Sequence, residues 1–198
     1  MFSLSNCKKT GCKKSSISFR ETCWEHCEDK ETLVKELVFQ VKTLGVSKDL
    51  VVNGMVIKNE DFSETKLFAC DFRGCRFENC DFSSCQFRMC FFSDCEFLNC
   101  RFVKLDTMYC VFAGSIIKDC DFSESDQLTT NFNGIICENS SFSGSDLYFS
   151  FFRLAKMKNT SFRDCNLKKV SFLDSMRENV DFKSSNYEEA QFKEEDIL

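Results

Sequence analysis

Residues 70–102 read CDFRGCRFENCDFSSCQFRMCFFSDCEFLNCRF. Within this stretch Phe72, Phe77, Phe82, Phe87, Phe92, Phe97 and Phe102 recur every fifth residue, and Cys stands two residues before each of them. The frame extends outward in both directions, from Phe62 to Ile197, as 28 repeats without an insertion or deletion, of which 17 centre on Phe. The position two before the centre is Cys or another small residue almost throughout, with Glu60, Leu105, Ile135 and Glu195 as the departures. A period of five suits neither an α-helix nor a flat strand. It suits a chain that turns a corner every five residues and returns above itself after four corners. One coil is then 20 residues, and stacked coils repeat at the spacing of paired strands, about 4.8 Å. Each corner points two side chains inward, one large and one small, because two large ones collide. Seven such coils make a rod of roughly 34 Å.

Sorting the centres by coil gives two columns of pure Phe, Phe62 to Phe182 and Phe72 to Phe192. The other two columns are mixed and contain Thr107, Gln127, Cys137 and Arg177. Local bulging is expected at Thr107, Gln127 and Arg177, with Arg177 turned outward or neutralised, since a lone buried guanidinium is costly.

On these residues the stretch 60–198 resembles the pentapeptide-repeat family. The match includes Asp or Asn just before the centre at Asp61, Asp71, Asp81, Asp121, Asn131, Asp146, Asn166 and Asp181, while Cys and Phe replace the family's usual Ala and Leu. The resemblance implies an all-β repeat fold, a right-handed quadrilateral β-helix of about seven coils. The family includes quinolone-resistance proteins that imitate duplex DNA and bind a type II topoisomerase, so DNA mimicry enters as an alternative function.

The 198 residues include 15 Cys, 24 Phe and no Pro, and the missing prolines suit a tube whose coils all donate ladder hydrogen bonds. No charged segment followed by an apolar one opens the chain and no run of 18 apolar residues occurs, so a reducing cytoplasm and unpaired thiols are expected. Stacked cysteines such as Cys90 and Cys110 fall within disulfide range at about 4.8 Å, but their side chains run parallel. They are read as small buried hydrophobes beside the Phe columns.

The first fifty residues differ. They carry nine Lys or Arg against seven Asp or Glu, while residues 51–198 carry 17 against 24. Cys7-x4-Cys12-x10-Cys23-x2-His26 brings together three thiols and the only histidine. The spacing suits a tetrahedral structural Zn²⁺ site and is similar to small zinc knuckles with three cysteine ligands and one histidine, with Gly11 opening the turn before Cys12. Cys27 is an alternative to His26 as fourth ligand. Leu33, Val34, Leu37, Val38, Val41 and Leu44 form one face of a helix over about 29–44, stopped by Gly45 and placed over the apolar end of the tube. The organisation is therefore a zinc knuckle over 1–28, a helical cap and linker over 29–50, and a β-helix over 51–198.

No catalytic set is apparent, and the acidic run Glu188, Glu189, Glu194, Glu195 and Asp196 reads as a guard against stacking at the last coil. One outward corner is apolar: Phe68, Met108, Leu128 and Tyr148 align, beside them Met89, Tyr109 and Phe149, and next Phe91, Val111 and Phe151. Such a patch marks contact with a protein partner, unless the knuckle or helix folds back over it. The pairs Lys8-Lys9 and Lys13-Lys14 raise nucleic-acid contact as a further alternative, and a homodimer through the terminal coil at Ile197-Leu198 is an expectation; no membrane contact is expected.

Overall fold

The structure, a computed structural model, describes residues 5–193. Residues 46–193 wind as an all-parallel solenoid of about seven coils. Every pairing from β1 onward joins a residue to the one 20 positions later, as in Val46↔Lys66 and Val111↔Asn131. Two faces carry sheets. One has five strands: β1 (Val46–Lys48), β3 (Lys66–Phe68), β5 (Gln86–Arg88), β7 (Asp106–Met108) and β9 (Asp126–Leu128). The other has seven: β2 (Val56–Lys58), β4 (Arg76–Glu78), β6 (Glu96–Leu98), β8 (Ile116–Lys118), β10 (Ile136–Glu138), β11 (Lys156–Ser161) and β12 (Met176–Asp181). The remaining two faces are held by single parallel bridges.

The corner has a simple backbone cause. Every fifth residue from Asp49 to Ser184 has positive φ, one left-handed residue per corner. Residues just before the centre fasten many corners from the side: Asp61, Asp81, Asp121 and Asp181 each accept from the N–H two residues on, at 2.8–3.0 Å. That is the physical role of the acidic or amide position.

Inside, the two Phe columns are continuous stacks. Ring centroids from Phe62 to Phe182 lie 4.2–5.4 Å apart, and those from Phe72 to Phe192 lie 4.8–5.2 Å apart. The stacks meet edge-on, as at Phe142 and Phe152 with planes at 88°. Each such contact contributes roughly 0.5–1.5 kcal/mol beyond burial. The small residues do more than fill space. Cys75, Cys85, Cys95 and Cys165 direct Sγ to the carbonyl of the residue 23 earlier at 3.0 Å, and Ser115, Ser125 and Ser145 do the same with Oγ at 2.7–2.9 Å.

No bulge forms at Thr107, Gln127 or Arg177, all of which hold register with their neighbours. The irregularity lies one coil later, where the strand of this face gives way to a turn closed by Ser150 N–H on Leu147 O at 2.9 Å. Thr107 keeps register because its Oγ1 bonds Thr130 Oγ1 at 2.9 Å. Arg177 is half-buried, with its guanidinium 4.7 Å from the centre of the Phe192 ring, a cation–π contact over the last coil.

Helix α1 (Lys30–Thr43) starts where Asp29 accepts from Thr32 N–H at 3.0 Å and ends before Gly45 with φ +67. Leu33, Val34, Leu37 and Val41 join the core that begins with Leu50 and Val52, so the helix covers the apolar end of the tube. Leu44 leaves that face and is 58% exposed, because the chain already turns toward β1 there. Glu194, Glu195, Asp196 and the terminal Ile197-Leu198 of the expected dimer contact lie outside the described residues.

Gln127 is fully buried, and neither its Nε2 nor its Oε1 has a partner. Each unpaired buried polar group costs about 1–3 kcal/mol. Gln127→Leu is therefore expected to raise the urea midpoint, whereas Phe122→Ala, which opens a hole in a stack, lowers stability by about 3–5 kcal/mol. A lower midpoint for Gln127→Leu contradicts this reading.

Candidate functional site

Two features stand apart from the packed tube. The first is the N-terminal knuckle. Residues 5–16 form a small hairpin, held by the Asn6↔Ser15 bridge and by Cys7 N–H on Lys14 O at 2.9 Å. Its tip turns at Gly11, φ +80, with Cys12 N–H on Lys9 O at 3.0 Å. Cys23 precedes and His26 closes a single 3-10 turn, Trp24–His26, rather than the start of an α-helix. The four ligand atoms of Cys7, Cys12, Cys23 and His26 all lie within 4.8 Å of one another.

Three of the six edges of this group match a tetrahedral site, and all six are within 4.8 Å. His26 Nδ1 is 3.5 Å from Cys7 Sγ and 3.4 Å from Cys23 Sγ, and Cys12 Sγ is 3.9 Å from Cys23 Sγ. A tetrahedron with metal–sulfur bonds of about 2.3 Å and a metal–nitrogen bond of about 2.0 Å has edges of roughly 3.8 and 3.5 Å. The four residues can thus hold a metal ion. Backbone hydrogen bonding from Cys23 lowers the Cys7 thiol to about 6, which favours the thiolate a metal needs. Cys27 does not join them; it is buried in the core with Ile17 and Leu33.

The second feature is the apolar corner. Phe68, Met89, Tyr109 and Phe149 are exposed, and Phe91, Met108, Val111, Leu128, Tyr148 and Phe151 are half-exposed, so none of the ten is buried. The cap meets the first coil, through Ser18 at Val51 and through Lys42 at Asp61 and Ser63, and buries none of the ten. Met89, Tyr109 and Phe149 stand at left-handed corners with φ of 54–60°. On another corner, out of reach of the period-five reading, the same backbone position holds Asn59, Asn79, Asn99, Asp119, Asn139, Asn159 and Asn179. There the amides form ladders, each Nδ2 donating to the oxygen one coil earlier at 2.8–3.1 Å. Sorting residues by coil at the outward positions makes that column visible. Asn adopts the left-handed region at little cost, whereas bulky side chains are strained there.

Residues 61–103 match the family described as pentapeptide repeats, in 8 copies. The same five-residue period runs on through the remaining coils, so the repeat extends beyond the matched residues. Among solved structures the chain is similar to a trypsin-treated form of QnrB1, a plasmid-mediated fluoroquinolone resistance protein, at 15% identity and a TM-score of 0.44, over 74% of this chain and 83% of that one. It is similar as well to HetL of the cyanobacterium Nostoc sp. strain PCC 7120, a pentapeptide repeat protein involved in heterocyst differentiation regulation. That match has 10% identity and a TM-score of 0.35, over 80% and 96%. Rfr23 of the cyanobacterium Cyanothece 51142 follows at 10% identity and 0.39, over 76% and 97%. No curated protein sequence matches it.

Several thiols inside the tube are held in the protonated form by burial. Burial pushes Cys75 up from 9.0 to about 12, and Cys85, Cys137 and Cys165 to about 11. The folded chain keeps protons that the unfolded chain releases near pH 9.0. Rising pH therefore favours unfolding, and this contribution to stability is complete below pH 9 and is lost between pH 9 and about 12. Urea midpoints measured across that range are expected to fall for the wild type and to fall less for Cys75→Ala with Cys85→Ala. An equal slope in both refutes the assignment.

Proposed function

We propose that this chain is a non-enzymatic scaffold whose apolar corner docks a protein, with a zinc-stabilised N-terminal cap. The observation that carries the reading is the contiguous apolar corner left exposed at Phe68, Met89, Tyr109 and Phe149, three of them on strained backbone. Bulky apolar side chains occupy left-handed positions at Met89, Tyr109 and Phe149, where the Asn ladder shows an unstrained alternative. A cost kept at exposed residues is explained by what those residues touch.

The chemistry around the corner defines the partner. The strand face beside it carries Asp106, Asp126 and Asp146 in one column, of which Asp106 is paired with Arg88 while no ion pair is seen at Asp126 or Asp146 among the described residues. The patch already holds one cation, since Lys169 Nζ lies 5.4 Å from the centre of the Tyr148 ring and 5.8 Å from that of Phe149. The matching partner is a protein segment with apolar residues flanked by Lys or Arg. DNA mimicry is disfavoured because many acids are paired along the rod, including Glu78 with Lys58, Glu96 with Arg76 and Glu138 with Lys118. Nucleic-acid contact by the knuckle is disfavoured likewise, Lys8 and Lys14 being paired with Glu21 and Glu25. A reducing compartment such as the cytoplasm suits the free cysteines, and no described helix is long and apolar enough to cross a membrane.

Tyr109→Asn with Phe149→Asn separates the two effects. The double variant is expected to match or exceed the wild type in thermal midpoint while losing binding to a peptide of alternating Leu and Lys in fluorescence titration. Undiminished binding, or equal binding to the Leu/Glu counterpart, overturns the docking reading. For the cap, protein purified without chelator is expected to carry about one equivalent of zinc, lost in Cys23→Ser. Less than about half an equivalent counts against zinc.

A further inference from the structure

The loop between the second and third ligands, residues 13–22, does more than link them. Within it Ser18 stands where a preceding coil would stand. Its N–H donates to Val51 O at 2.7 Å, and its Oγ accepts from Val51 N–H at 2.8 Å. Ile17, 2% exposed, enters the core beside it. The first coil is a sheet edge with no earlier coil to pair with, and unpaired edges recruit other strands. Ser18 and Ile17 close it at Val51.

Besides the ligand group, the loop is held by Ser16 N–H on Ser5 O at 2.8 Å, Lys8 N–H on Glu21 O at 2.9 Å and the Arg20–Glu36 salt bridge to helix α1 at 2.7 Å, with few buried side chains behind these contacts. Among the described residues before Lys30, the buried side chains are Cys7, Ser16, Ile17, Cys23 and Cys27, two of which are ligands. The salt bridges Lys8–Glu21 and Lys14–Glu25 are exposed and contribute little. A metal joining Cys12 to Cys23 closes the loop that carries Ile17 and Ser18, so ion binding and ordering of the loop share one free energy. Helix α1 has its own contacts with the core through Leu33, Leu37 and Val41 and does not depend on the ion for them.

We propose that metal occupancy of Cys7, Cys12, Cys23 and His26 gates the N-terminal edge of the β-helix: loaded, Ser18 seals Val51, and unloaded, the edge at Val51 opens while the coils beyond it stay folded. This rests on the zinc reading above, and the test keeps the two apart. Amide hydrogen exchange on the full chain is compared with zinc bound and after chelation, with zinc measured in each sample. Chelation is expected to speed exchange at Val51 about tenfold or more while amides from Phe82 onward keep their protection. Ser18→Pro, which removes both the N–H donor to Val51 O and the Oγ that accepts from Val51 N–H while leaving every ligand, is expected to expose Val51 with zinc still bound. Val51 protection that survives chelation, loss of protection along the whole tube at once, or Ser18→Pro with Val51 still protected overturns the gate. A chain that never holds zinc overturns the reading on which it rests.

Discussion

Everything in the rod depends on each inward ring landing on the ring 20 residues later. Phe stacks of 4.2–5.4 Å require that every coil have the same length, and one inserted residue shifts all later side chains off their column. The left-handed residue at every corner is the backbone's share of this constraint. The thiols and hydroxyls two before the centre are the side chains' share, because they tie one coil's turn to the carbonyl of the coil below. A composition rich in cysteine thus serves packing, and desolvated thiols such as Cys75 remain protonated.

A filled tube leaves function to its surface and its ends. Residues of similar outward position differ sharply between corners: an amide ladder on one, aromatic and sulfur-bearing side chains on another. The first is a local solution to the left-handed backbone. The second opposes it at Met89, Tyr109 and Phe149, which is the basis of the docking proposal. At the N-terminal end, a segment too short to build a core is shaped around four ligand atoms and fills the place of a missing coil.

Much of this was legible in the residues alone. The period of five gave the coil, the Phe columns and the inward small position, because inward packing leaves few choices of side chain. The ligand set was legible because cysteine and histidine spacing carries metal chemistry directly, but the choice of His26 over Cys27 was not: it depends on a 3-10 turn that aims Nδ1 inward while Cys27 turns to the core. The beginning of the tube was hidden because Ser47, Val52 and Ile57 occupy three of the first coil's four centres, and the first Phe comes only at Phe62. A Gln at the Gln127 centre suggests a bulge, yet the neighbouring coils hold register and the amide stays buried and unpaired. The change of face at Leu147 has no marker in residue type.

The most direct test of the metal-pinned cap is X-ray absorption at the zinc edge on the full chain. A first shell of three sulfurs at about 2.3 Å and one nitrogen at about 2.0–2.1 Å is the predicted result. A shell of oxygen and nitrogen alone, or of four sulfurs with Cys27 in place of His26, contradicts it.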